Sequence, residues 1–178
     1  YRYQVRSEAE GGETCESDVY HLKTAPPGNI PFCFAVVSET GGTCNDTYNR
    51  EIFDQIRRHR PDFLMAVGDS VCHGSEYEDW NRYFFGPASD LLTTTPFYMV
   101  PGNHEENAHW YYDFVGYPAP GNYYSFRYGN ALFVGLDSTE VVDYTNGRPV
   151  TRSRALAPGS PQYDFLDKSL SGSQSDWK

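Results

Sequence analysis

The sequence predicts a layered α/β domain with mixed β-sheets, and two features of the chain lead to this prediction. Short apolar runs, as long as buried strands, alternate with amphipathic segments that have helical spacing, and a β-hairpin signal follows them. Alternation of this kind is typical of a sheet that is covered by helices. With 178 residues, the chain is long enough to form one domain with a sizeable core.

The N-terminal part of the chain differs from the alternating part. Residues 1–24 have the pattern of two short strands around a polar loop. Residues 25–30 contain consecutive prolines, which cannot donate to a β-ladder and favour an extended path, so they are predicted as a linker. The expected organisation is therefore the end of a β domain at 1–24, the linker, and an α/β unit at 31–178.

Three strands and three helical segments are predicted at the start of the α/β unit. The strands cover 31–37, 63–67 and 96–100. The helical segments cover about 46–60, 80–92 and 106–114. Pro61 ends the first of these helices, because proline has no N–H for the next helical hydrogen bond.

A β-hairpin and a last helix complete the predicted fold. The strand-like runs 123–128 and 131–136 are joined by Gly-Asn, a dipeptide typical of hairpin turns. A polar insertion at 141–161 then precedes an amphipathic final helix.

Charge and hydropathy argue against two classes of function. The formal net charge is −10 and no arrangement of Lys or Arg suited to phosphate is visible, which argues against a nucleic-acid partner. No apolar stretch approaches the ~20 residues that a membrane span needs. Because the chain opens in the middle of a strand-like pattern, we expect it to be part of a longer protein, with any export signal upstream.

The cysteines and a glycosylation sequon favour a secreted, extracellular protein. Cys44 and Cys72 follow the first two core strands, and if those strands are neighbours we expect the pair to form a disulfide. Cys15 and Cys33 would then pair by elimination. The alternative is four free thiols in a cytosolic protein. Asn45 begins an Asn-Asp-Thr sequon and is a candidate glycosylation site.

Polar side chains follow all three predicted core strands. Glu39 comes after the first strand, Asp69 after the second, and Asn103 after the third. Loops at such strand ends commonly carry the functional groups of α/β proteins. Carboxylate and amide oxygens are ligands for hard cations, so we predict these three residues as metal ligands, with Asp69 as the bridge between two ions. Each residue taken alone is equally typical of a turn or of the protein surface.

Two further residues of the third loop are predicted to act in catalysis. His104 is placed to hydrogen-bond a bound substrate oxygen or to protonate a leaving group. Glu105 is predicted to hold the tautomer of the His104 ring.

These motifs resemble those of the calcineurin-like metallophosphoesterases, and the purple-acid-phosphatase-like branch is the most similar. The resemblance covers nearly the whole chain in order, through Gly68-Asp69, residues 102–105, 123–126, 136–138 and 160–163. It implies two mixed β-sheets flanked by helices, preceded by the last strands of a fibronectin-like β domain. It also implies hydrolysis of a phosphate-ester substrate by a metal-bound hydroxide on two divalent or trivalent ions (Fe, Zn, Mn or Mg).

Three features differ from the family pattern. Glu39 stands where the family has its first metal-binding Asp, and Cys72 stands where the purple enzymes have an iron-bound Tyr. The family's later metal-binding histidines are expected beyond Lys178, in the remaining C-terminal part of the same protein, so the site in these residues is expected to be incomplete. The alternative function is therefore a catalytically inactive member of this fold that acts as a binding or structural component.

Overall fold

The structure is a computed structural model that describes residues 1–139, 142–145, 148–151 and 156–178. For the two short segments in the middle only the backbone is described. The predicted polar insertion at 141–161 thus lies partly outside the described residues. Within the described part of the chain, no helix combines the length and the apolar character that crossing a membrane requires.

An antiparallel hairpin of short strands occupies the N-terminal residues. Its strands are β1 (Arg2–Tyr3), β2 (Arg6–Glu8), β3 (Thr14–Glu16) and β4 (Tyr20–His21). β1 pairs with β4 and β2 with β3, so the hairpin extends into the segment predicted as a polar loop. All side chains of β2 and β3 are exposed, which is why hydrophobic alternation did not reveal them. That this hairpin ends a fibronectin-like domain stays a prediction.

Three parallel strands form the central sheet, as predicted. They are β5 (Phe34–Val37), β6 (Phe63–Val67) and β7 (Phe97–Val100), with β6 in the middle. Within the described residues this sheet has only parallel pairs, not the mixed pairs that were expected. Because parallel strands in register end at the same edge of a sheet, the loops after all three strands lie together.

Helices cover one face of the central sheet. They are α1 (Asn49–Arg58), a π-helix (Trp80–Phe85), α3 (Gly86–Leu92) and α4 (His109–Val115). Two shorter elements lie in the connecting loops: α2 (Tyr77–Asp79) directly before the π-helix, and a 3₁₀ helix (Asn103–Glu105) after β7. Phe53, Phe84 and Tyr111 from these helices pack with Leu64 and Met99 of the sheet in one buried cluster. This apolar layer fixes the strands that carry the polar loops.

A second sheet packs on the other face through aromatic rings. It contains the predicted hairpin, β8 (Tyr124–Tyr128) and β9 (Ala131–Gly135), and Trp177 forms a parallel bridge to β9, which makes this sheet mixed. Tyr98 stacks on Phe126 with ring centroids 3.6 Å apart, and Phe63 meets Phe133 edge-on at 5.2 Å. The expected two-sheet sandwich is therefore present.

The remaining elements lie after β9. The strands β10 (Val142–Thr145) and β11 (Arg148–Thr151) form an antiparallel pair. The final helix, α5 (Pro161–Ser171), contacts the second sheet through Phe165, whose ring centroid lies 5.2 Å from that of Tyr123. Helices thus lie on both sides of the sandwich.

One of the two predicted disulfides is present. Cys44 and Cys72 are joined, with their Cα atoms 4.8 Å apart, because β5 and β6 are neighbours and their loops meet. Cys15 and Cys33 are free and exposed, so their pairing by elimination is wrong. Cys15 lies in the N-terminal hairpin, whereas Cys33 directly precedes β5 and donates its N–H to Asp62 at 2.9 Å.

Loss of the disulfide is expected to destabilise the fold strongly. The bridge closes a loop with a sequence separation of 28 residues, for which chain entropy predicts a cost of about 3.6 kcal/mol in the Cys44→Ala/Cys72→Ala variant. Urea unfolding followed by circular dichroism measures it. The Cys15→Ala/Cys33→Ala variant is the matched control and should stay within about 0.5 kcal/mol of the parent protein. Equal stability of the two variants would contradict the expectation.

Candidate active site

The loop after β5 is hydrogen-bonded to the loop after β6. The N–H groups of Gly41 and Gly42 donate to the carbonyl of Asp69 at 2.9 and 3.1 Å, and the N–H of Glu39 donates to the carbonyl of Gly68 at 3.3 Å. Glu39 has a positive φ of 62°, which turns its side chain out of the strand direction. Two of the three predicted metal ligands are thereby brought side by side.

The carboxyl groups of Glu39 and Asp69 lie close enough to interact electrostatically. Partial burial and then the neighbouring Asp69 carboxylate raise the pKa of Glu39, because a second negative charge at this place is unfavourable. In the part of the chain that the structure describes, no Lys or Arg forms an ion pair with either carboxylate. Two neighbouring carboxylates without a Lys or Arg partner provide the oxygen ligands and the negative charge that a divalent cation needs.

Glycines let Asp69 occupy its position. Gly68 has φ +75° and Asp69 itself has φ 53°, so the chain turns sharply as soon as β6 ends. Gly102 lies directly against Asp69, and a Cβ at this position would clash with the Asp69 carboxyl group. The Oδ1 of Asp69 accepts a hydrogen bond from the N–H of His104 at 2.9 Å. The Gly68-Asp69 motif and the loop that begins at Gly102 are therefore in direct contact.

Glu105 connects the loop after β6 to the loop after β7, and no hydrogen bond joins it to the His104 ring within the described residues. Its side chain is fully buried, and its carboxylate accepts hydrogen bonds from the N–H groups of Asp69, Ser70 and Gly102 at 2.5–2.9 Å. Burial raises the pKa of Glu105, and the three N–H groups oppose that rise. The predicted role in holding the His104 tautomer is wrong, because the carboxylate is used to join two loops.

The tautomer of His104 is instead set by a backbone carbonyl. The ring Nδ1 lies 2.7 Å from the carbonyl oxygen of Cys72. A carbonyl can only accept, so Nδ1 carries the proton, and the neutral ring has its lone pair on Nε2. Among the described residues, Nε2 has no hydrogen-bond partner. His104 thus presents a nitrogen that can accept or deliver a proton, and its role in catalysis stays a prediction.

A cleft of about 250 Å³ opens beside these residues. Asp69 and Asn103 line it on one side, and Leu136, Ser138 and Thr139 from the end of β9 line it on the other. Sequence reasoning placed Asn103 here, but it did not include Ser138 and Thr139 among the site residues. The signal that reveals them is the same one as before, namely polar residues directly after a strand.

A buried carboxylate positions the β9 side of the cleft. Asp137 is almost fully buried and accepts hydrogen bonds from Asn122 Nδ2 and from the N–H of Thr139, both at 2.8 Å. Gln162 of α5 accepts from the N–H of Asp137 at 2.6 Å and donates to its carbonyl at 3.1 Å. The final helix therefore fixes the loop that carries Ser138.

Comparison with known proteins identifies the family to which this chain belongs. The model of the calcineurin-like phosphoesterase family matches residues 32–177. The chain belongs to this family. A purple acid phosphatase isolated from yellow lupin (Lupinus luteus) seeds has a similar structure, with a TM-score of 0.68 and 18% sequence identity. No curated protein matches the sequence.

The family match confirms the predicted metallophosphoesterase family, and the structural match confirms the fold; membership of the purple-acid-phosphatase-like branch stays a prediction. The similarity to the lupin phosphatase covers 97% of this chain but 34% of that protein, so the chain spans about a third of its length.

Proposed function

We propose that this phosphoesterase-family chain carries part of the active site of a metal-dependent hydrolase of phosphate esters. The observation that supports this most directly is the proximity of the Glu39 and Asp69 carboxyl groups beside the cleft that Asp69 lines, with neither carboxylate in an ion pair with a Lys or Arg of the described residues. Asn103 lines the same cleft with a neutral amide. The three residues form a set of hard oxygen donors.

Such a donor set fits Mg, Mn, Fe or Zn ions. Bound there, two ions would neutralise phosphate charge and supply an activated water. Glu39, Asp69 and Asn103 would hold them, with the second carboxylate oxygen of Asp69 available because only Oδ1 accepts from His104. Since three side chains are too few for two tightly bound ions, we propose that the remaining C-terminal part of the same protein supplies further ligands.

His104 is proposed as the proton-transferring residue. Its Nδ1–H is tied to the carbonyl of Cys72, which leaves Nε2 for a substrate oxygen. A positioned histidine of this kind typically contributes 10²–10⁴-fold to a rate.

Metal analysis and a hydrolysis assay test the proposed function. The protein containing these residues is stripped with a chelator and then supplied separately with each of the four metals, with p-nitrophenyl phosphate as substrate. We expect roughly two bound ions per protein and hydrolysis only when they are present. A protein that binds no metal would overturn the proposal and favour the alternative of an inactive binding or structural component. In favour of that alternative, the sulfur of Cys72 is held in a disulfide and is not free to bind a metal ion.

Replacing His104 by Gln is expected to separate catalysis from metal binding. Hydrolysis should fall about 100-fold while metal affinity stays unchanged, because the side chain is proposed to move a proton rather than to bind the metal. His59→Gln, at an exposed histidine after α1, is the matched control and should leave both quantities unchanged. A loss of metal without a slower metal-saturated rate would assign His104 to the ligands instead.

Secretion, extracellular localisation and glycosylation are also proposals. Asn45 is exposed in the loop before α1, and its Oδ1 accepts a hydrogen bond from the Thr47 hydroxyl at 2.6 Å. An exposed sequon of this kind is accessible to modification in an exported protein. The disulfide between Cys44 and Cys72 fits an oxidising compartment.

A further inference from the structure

Three soft or borderline metal ligands lie together outside the lining of the cleft. The Sγ atoms of Cys44 and Cys72 and a ring nitrogen of His73 are all within 4.8 Å of one another. The two sulfurs are joined in the disulfide. Cys44 and His73 are exposed, whereas Cys72 is almost fully buried, so the group lies at the surface and can be reached from solvent.

The His73 ring is oriented toward the disulfide by a carboxylate. Nδ1 of His73 lies 3.3 Å from Oδ2 of Asp79, and the His73 N–H donates to the same oxygen at 3.0 Å. Nε2 lies 3.9 Å from Sγ of Cys72. A carboxylate that accepts from one ring nitrogen directs the lone pair of the other nitrogen at a metal, which is the usual arrangement at histidine ligands.

We propose that reduction of the Cys44–Cys72 disulfide creates a second metal site, in which the two thiolates and His73 Nε2 bind a soft or borderline ion of the Zn²⁺ class. A water molecule would take the fourth position. From typical Zn–S and Zn–N distances, ligand atoms of a tetrahedral site lie roughly 3.5–3.8 Å apart. The observed 3.9 Å between Nε2 and the Cys72 sulfur is close to that value. After reduction, the two sulfurs have to move apart, and the Cys44 sulfur, which lies within 4.8 Å of the His73 nitrogen, has to settle at a similar spacing from it.

The reductant is a dithiol, such as dithiothreitol or a protein with two neighbouring thiols. One of its thiolates attacks the exposed Cys44 sulfur, the S–S bond breaks, and Cys72 leaves as a thiolate. The second thiol of the reductant then displaces Cys44, so the reductant becomes a disulfide and the protein gains two electrons and two protons. Metal binding releases the protons of the thiols.

This site differs chemically from the oxygen site in the cleft. Thiolates select ions of the zinc class, whereas carboxylate and amide oxygens suit Mg²⁺ and Mn²⁺. The two sites are nevertheless adjacent, because the carbonyl of Cys72 accepts the hydrogen bond from His104. The thiolate site can be detected whether or not the protein hydrolyses phosphate esters.

Cobalt binding tests the proposal, because thiolate–Co²⁺ coordination gives a near-ultraviolet charge-transfer band that oxygen ligands do not give. The test uses the Cys15→Ser/Cys33→Ser variant, which removes the two other thiols. The protein is reduced with dithiothreitol, freed of reagent without air, and titrated with Co²⁺. We expect one Co²⁺ per chain with the band, displacement by Zn²⁺, and no band for the air-oxidised protein. A reduced, folded protein without the band would overturn the proposal.

Variants of the imidazole pair show whether His73 is a ligand. His73→Ala should weaken Co²⁺ binding at least about tenfold, and Asp79→Asn should weaken it 10–100-fold through loss of ring orientation. Both keep the cysteines, and circular dichroism checks that they fold. His59→Ala is the control with unchanged affinity. Unchanged affinity of His73→Ala would refute the site as drawn. Asp69→Asn should keep the band, so this proposal and the proposed phosphoesterase activity fail independently.

Discussion

Replacing Asp69 by Asn is expected to abolish metal-dependent hydrolysis by the protein that contains these residues. The carboxylate lies close to Glu39, and its Oδ1 accepts from the N–H of His104 in the loop of Asn103, so it links the loops that carry the other two proposed ligands. The amide keeps the size and can still accept from the His104 N–H, but it removes the charge that holds a cation. Because bound metal ions contribute several kcal/mol, the rate should fall at least about 10³-fold.

Metal titration and a surface control make this expectation specific. In calorimetric titration, Asp69→Asn should bind Mn²⁺ at least roughly 100-fold more weakly than the parent protein does, because loss of a ligand costs at least as much as loss of a residue that orients one. Asp167→Asn removes the same charge from an exposed position of α5 and should leave affinity and rate unchanged. If Asp69→Asn bound Mn²⁺ as tightly as the parent protein, Asp69 would not be a ligand.

The convergence of the site could be predicted because it follows from the sheet. Once three apolar runs are recognised as parallel strands, their carboxyl ends must meet, and Glu39, Asp69 and Asn103 follow those ends. The Cys44–Cys72 bridge followed from the same neighbour relation. Predictions that depend on strand order alone were therefore confirmed.

Predictions that depend on which loop atoms meet were less successful. Glu105 follows His104 directly, so a contact with its neighbour seemed natural, yet its partners include Asp69 and Ser70, more than 30 residues away. The partner of the His104 ring is a backbone carbonyl, and because every residue has one, the residue types in the sequence do not reveal which carbonyl it is. Cys15 and Cys33 could be paired only because they were the two cysteines left over, and this reasoning includes no information on the distance between them. Such contacts are set by loop geometry, which periodicity does not encode.

Replacing Glu105 by Ala is expected to destabilise the protein more than any other change considered. Three backbone N–H groups would lose their acceptor in a place without solvent, since the Glu105 side chain is fully buried. At about 1–3 kcal/mol for each unpaired buried donor, the loss should be roughly 5 kcal/mol. Stabilities of whole domains are about 5–15 kcal/mol, so the variant should be close to unfolding.

Urea unfolding of the metal-free proteins measures this loss without any contribution from bound ions. Glu105→Gln should lie between the parent and the Ala variant, because an amide oxygen can still accept while its NH₂ group faces a backbone donor. Glu13→Ala, at an exposed glutamate of the N-terminal hairpin, is the matched control and should change stability by less than about 0.5 kcal/mol. Hydrogen exchange localises the effect, since the amides of Asp69, Ser70 and Gly102 should exchange faster in Glu105→Gln. A Glu105→Ala protein within about 1 kcal/mol of the parent would show that water replaces the lost carboxylate.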